Sequence, residues 1–148
     1  MTTYTGTQRG RAPFATSGFG NAWLGSNKVT PAAALGTSDV VVLMDVPAGV
    51  ELHTLFFRGG DFDTGTTLDY KIGYRTKLPG GSATDDDYFT ASNTALRAAT
   101  TSWQELVFDP IKFNEPVEII LTPTAAATGV SGTPSVFTRA EGEIVGIS

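Results

Sequence analysis

Between residues 68 and 74 the chain reads Leu-Asp-Tyr-Lys-Ile-Gly-Tyr, apolar and polar in strict alternation. A strand turns successive side chains to opposite faces, so this period of two predicts one buried and one wet face. Upstream, Val-Val-Val-Leu-Met at 40–44 is an unbroken apolar run, the pattern of a strand covered on both faces. Residues 51–58, 103–108, 111–113, 117–122 and 135–147 read as further strands, and Gly142 within the last is expected to mark a bulge. Pro-Ala-Gly at 47–49, Asp-Thr-Gly at 63–65, Pro-Gly-Gly at 79–81 and Asp-Pro at 109–110 separate these runs with turn-favouring residues. Residues 85–99 offer the one stretch with helical character: Asp85, Asp86 and Asp87 suit a helix N-terminus and Arg97 a C-terminus. Thr90, Ser92, Asn93 and Thr94 weaken that helix, so a turn or two is expected there. Short strands with little helix predict an all-β antiparallel sandwich, jelly-roll-like with about eight strands.

Residues 1–36 have no sustained period of either kind. They are rich in Thr, Gly, Ala and Ser, and the expected organisation is an extended N-terminal arm over 1–36 followed by a sandwich domain over 37–148. Phe14, Phe19 and Trp23 fall within ten residues of one another, a spacing that a purely solvated tail rarely carries. The arm is therefore expected to order against its own body or a neighbour, with Phe14, Phe19 and Trp23 as anchors and Arg9 and Arg11 as rim charges.

Length and charge narrow the functional classes. At 148 residues the chain is one domain able to bury a core of its own, and without cysteine it has neither disulfides nor thiolate metal sites. No apolar leader opens the sequence and no apolar run reaches the ~20 residues of a membrane span, so a soluble intracellular product is expected. Residues 1–38 carry +3 and the remainder −8, for a net −5. An acidic body of this kind has little to offer phosphates, which argues against nucleic acid as a partner.

Candidate chemistry is sparse. His53 is the sole histidine and sits mid-strand with no Gly-x-Ser-x-Gly nucleophile motif, so it reads as a surface or partly buried strand residue. Asp61-x-Asp63-x-Gly65 opens like a calcium loop but lacks an oxygen ligand at Gly65 and an acid at Ile72. The three aspartates at 85–87 repel one another and read as a solvated or capping run. Carboxylate pairs suited to glycoside hydrolysis arise by chance among fifteen acids, and Trp103 reads as core rather than as a sugar platform. Neither Gly18-Phe-Gly20 nor Gly80-Gly81 has the setting of a phosphate loop. The expectation is a non-enzyme with no cofactor and no metal.

One further signal lies in the order of several phrases: Asp-Val-Pro-Ala-Gly at 45–49, Phe-Phe-Arg at 56–58, Asp-Phe-Asp-Thr-Gly at 61–65, the alternating run at 68–74, Asp-Tyr-Phe at 87–89 and Phe-Asn-Glu-Pro-Val-Glu-Ile-Ile at 113–120. Over residues 38–147 this wording resembles small virion proteins of tailed bacteriophages, among them capsid decoration (cement) proteins. The resemblance implies a jelly-roll sandwich that attaches to the outside of the head as a dimer or trimer. It implies the major capsid protein as partner, the capsid surface of the virion as location, and no contact with nucleic acid or membrane. The role implied is structural: bridging major capsid subunits and stabilising the shell. A tail or head-fibre component is the alternative within the virion, and a carbohydrate-binding module or adhesin is the alternative outside it.

Overall fold

A computed structural model describes residues 1–6 and 21–147. Among these residues lie ten strands: β1 (Thr3–Tyr4), β2 (Ala22–Val29), β3 (Val40–Val46), β4 (Val50–Gly59), β5 (Asp69–Thr76), β6 (Asp85–Asn93), β7 (Gln104–Leu106), β8 (Ile111–Lys112), β9 (Val117–Ala125) and β10 (Val136–Ile144). They form two sheets, β1-β3-β9-β5-β6 and β2-β10-β4-β7, with β8 also pairing to β4. The expected all-β sandwich is what forms. Only β1, which runs parallel to β3, departs from antiparallel pairing among the described strands.

The alternating run does what its period requires. Leu68, Tyr70 and Ile72 are fully buried between the sheets, while Asp69 and Lys71 face outward and stay half-exposed. In β3, Val41 and Leu43 join the main core, and Val40 and Val42 pack with Ile120 in a small separate cluster. An unbroken apolar run is thus buried on both of its faces. The register of β4 on β10 shifts between Glu141 and Gly142, and His53 is the extra residue, with no opposite number across the ladder. A side chain at 142 would collide with the Glu51 carbonyl oxygen, which is why glycine stands at this bulge.

Two expectations are corrected. The described residues within 1–36 belong to the sandwich and not to a separate arm: β1 joins the edge of the first sheet, and β2 pairs along eight residues with β10 in the second. Trp23, Asn27 and Val29 point inward from β2 and are buried. The inward Asn27 is tolerated because its Nδ2 donates to the Leu43 carbonyl at 2.6 Å. Residues 85–93, expected as helical material, form β6 at the edge of the first sheet, and only Ala95–Arg97 makes a 3₁₀ turn. Pairing to β5 and burial of Phe89 outweigh the weak helical signal of the acidic run.

Candidate interaction surface

The outward face of the β2-β10-β4-β7 sheet carries the chain's most unusual side-chain arrangement. Register places its outward residues in four rows: Lys28–Phe137–Arg58, then Ser26–Arg139–Phe56–Glu105, then Leu24–Glu141–Thr54, then Ala22–Glu143–Glu51–Lys112. In the first two rows cations lie over rings. The Arg139 guanidinium is 4.6 Å from the Phe56 ring centre and 4.8 Å from that of Trp103. Arg58 lies 4.9 Å from Trp103 and 5.3 Å from Phe137, and the Lys28 ammonium is 5.5 Å from Phe137. Contacts of this kind contribute about 0.5–1 kcal/mol each at exposed sites and hold the guanidinium planes in place.

Elsewhere three bases meet acids, Lys71 with Asp86 at 2.7 Å, Arg75 with Glu118 at 2.8 Å and Lys77 with Asp45 at 2.9 Å, and Arg97 donates to the Leu68 carbonyl at 2.6 Å. On this face Lys28, Arg58 and Arg139 meet rings instead, and Arg58 Nε is buried without a hydrogen-bond partner among the described residues. The last two rows hold Glu51, Glu141 and Glu143, with His53 Nε2 at 3.3 Å from Glu51 Oε1. With Glu105 in the second row and Lys112 beside Glu51 in the fourth, this sheet face is net cationic and aromatic at one end and net acidic at the other. Between the two ends Leu24 stands 65% exposed beside a shallow depression of about 270 Å³ lined by Gly25, Ser26, Arg139 and Glu141.

The residues singled out in the sequence fall in different places. Arg9, Arg11, Phe14 and Phe19 lie outside the described residues. Trp23 is 1% exposed in the main core, so its indole is a packing residue of the sandwich and not a surface anchor. Trp103, expected in the core, is half-exposed and caught between two arginines. His53 is exposed.

Asp63 is buried, and its carboxylate accepts backbone N–H groups from Gly65 (3.0 Å), Thr67 (2.7 Å), Leu68 (2.6 Å) and Thr128 (2.8 Å), plus the Thr67 hydroxyl (3.3 Å). Burial alone would raise its pKa. The backbone donors from Leu68, Thr128, Gly65 and Thr67 outweigh that and hold the carboxyl well below the usual range. The Asp-x-Asp-x-Gly phrase thus ties the 61–68 loop to the loop at Thr128. In the 85–87 run, a side-chain hydrogen bond to Asp85 leads the causes that raise the Asp87 carboxyl, and Lys71 pairs with Asp86. Among the described residues no group of three or more His, Cys, Asp or Glu is placed to hold a metal ion.

This architecture recurs in chains from three solved phage particles. The match to a chain of the capsid of Ralstonia phage GP4 has a TM-score of 0.68 at 17% identity, covering 90% of this chain and 91% of that one. For a chain of the cyanophage Pam1 capsid asymmetric unit the TM-score is 0.65 at 17% identity, with 90% and 94% covered. A chain of the acidic stable capsid structure of Helicobacter pylori bacteriophage KHP30 matches at 0.54 and 12% identity over 83% and 87%. The fold is one found in phage capsids. At these identities the likeness is one of fold, and it takes in most of each chain rather than a fragment. No protein-family model matches the chain, and no curated protein matches it by sequence.

Proposed function

We propose that this chain is a decoration protein of a phage head, binding the outside of the capsid and stabilising the shell by bridging major capsid subunits. The observation that carries the reading is the two-way coverage of the fold match: 90% of this chain against 94% and 91% of chains in two phage capsids. A single small sandwich accounts for nearly the whole of each partner in the comparison. The side chains support a structural rather than catalytic role. The buried Asp63 is consumed by backbone donors, so the most constrained carboxylate holds the protein's own shape. Repeated around a shell, even modest contacts per copy would add up to tight retention.

Arg9, Arg11, Phe14 and Phe19 are the capsid-contacting residues in this reading, flanked by β1 and β2, which anchor the segment's two sides to the sandwich. The test is add-back of the purified full chain to heads made without it. Saturable co-sedimentation, and heads that release DNA at a higher temperature, are the expected results. Replacing Arg9, Arg11, Phe14 and Phe19 together by Ala should lower occupancy without moving the protein's own Tm. Binding to tails and not to heads would replace this reading with a tail or fibre role. Binding to glycans that Trp103→Ala abolishes would replace it with an adhesin.

A further inference from the structure

The geometry points to a second copy of this chain as the occupant of the outward β2-β10-β4-β7 face, and we propose that two copies dock there face to face about a two-fold axis. The argument starts from the four rows. Lys28, Arg58 and Arg139 against Glu105 leave the first two rows at +2, and Glu51, Glu141 and Glu143 against Lys112 leave the last two at −2. Successive outward rows on one strand are about 6.6 Å apart, twice the rise per residue, so Arg58 in the first row and Glu51 in the last, about 20 Å apart, cannot pair within one copy, while Arg139 and Glu141 stand one row apart.

A two-fold axis lying in the plane of the face, parallel to the rows and between the second and third, solves this. It lays the second row of one copy over the third row of the other and the first over the fourth. Arg139 then faces the second copy's Glu141, and Arg58 faces its Glu51; each contact occurs twice, as an isologous interface requires. The same operation brings Ser26 over Leu24, so the exposed Leu24 enters the depression beside Gly25, Ser26 and Arg139 on the other copy. Rings already hold the guanidinium groups of Arg58 and Arg139, so little side-chain freedom is lost on docking.

Area sets the strength. β2, β10 and β4 at 8, 9 and 10 residues and β7 at 3, about 4.8 Å apart, present roughly 480 Å² per copy, and about 950 Å² in all lies below the 1,200–2,000 Å² of stable standard interfaces. The dimer is therefore weak, electrostatic and sensitive to salt. An acidic segment of an unrelated protein could engage only the cationic half of the face, whereas a second copy uses both halves.

The test needs no capsid, so its outcome is separate from that of the shell reading. Sedimentation equilibrium of the full chain is run at low and at 500 mM salt, with folding checked by circular dichroism. The expected result is a monomer–dimer equilibrium that weakens at least fivefold in high salt. Arg139→Glu alone and Glu141→Arg alone should each weaken self-association at least tenfold, because each places like charges opposite one another twice. Mixing the two variants should restore a heterodimer, since every contact then pairs Glu with Arg, and the double variant should regain a homodimer. A chain monomeric at 100 μM in low salt, an oligomer indifferent to both reversals, or two variants that fail to rescue each other would overturn the proposal.

Discussion

Removing the Asp63 carboxylate is the sharpest single test of how the sandwich is held at its loop end. Asp63→Ala leaves four backbone N–H groups without their acceptor, while the Thr67 hydroxyl keeps the Ala126 carbonyl at 2.9 Å. Leu68 is fully buried, so its N–H cannot turn to water; Thr67 and Thr128 are exposed and can recover part of the loss. An unmet buried donor costs about 1–3 kcal/mol. Counting Leu68 in full and the others in part gives a destabilisation of about 3–4 kcal/mol. For a domain of this size that lowers Tm by about 6–15 °C.

Asp63→Asn keeps the shape and one acceptor, so it should fall between the wild type and Asp63→Ala. The carboxyl also has a pH signature. Its folded-state pKa lies below the unfolded value of about 3.9, so its stabilisation is complete above that pH and is lost as pH falls below it. In that acid range the unfolded state takes up a proton that the folded state refuses, which steepens the fall by up to about 1.4 kcal/mol per pH unit. Urea unfolding between pH 7 and pH 3 measures both effects. If Asp63→Ala costs under 1 kcal/mol at pH 7, or if Asp63→Asn runs parallel to the wild type down to pH 3, the carboxylate does not hold the two loops together.

Trp23→Ala should destabilise the isolated protein by about 3–5 kcal/mol, as removal of a large core side chain does; a Tm unchanged from wild type would return Trp23 to the surface. Gly73→Ala should prevent normal pairing of β6 with β5, because the added carbon meets the backbone of Asp85 and Asp86; Gly36→Ala, whose added carbon has nothing nearer than the Asp39 carboxylate at 3.6 Å, serves as the loop control in expression and thermal melts. Arg75→Ala leaves the buried Glu118 carboxylate without its guanidinium and should cost about 2–4 kcal/mol, whereas Lys77→Ala, on the more exposed Asp45 pair, should cost under about 1 kcal/mol in the same denaturation series.

What could be read in the sequence was set by how faithfully hydrophobicity tracks burial. In β5 the inward residues are Leu68, Tyr70 and Ile72, just before or within the strand, and the period is plain. In β2 the inward positions are Trp23, Gly25, Asn27 and Val29. Burial alternates there just as strictly, but a glycine and a hydrogen-bonded asparagine break the apolar pattern, and the strand reads as leader. β6 failed for the opposite reason: as an edge strand it buries only Phe89, so its acids and small polar residues decide the impression. The cation–ring face could not be read at all. Its members come from β2, β4, β10 and the residue before β7, and only cross-strand register brings Lys28, Arg58, Trp103 and Arg139 together.

The place of β10 in its sheet has a consequence for how the protein is made. The last strand in the sequence lies between β2 and β4, which are joined to each other only through it. Neither β2 nor β4 has its main partner until residues 136–144 have left the ribosome, so the second sheet closes late and the Trp23 side of the core stays open until then. Partners so distant in sequence make closure slow and leave the β2 and β4 edges exposed in the interval. Folding yield, more than the stability of the finished sandwich, is where changes to Val136–Ile144 will be felt first.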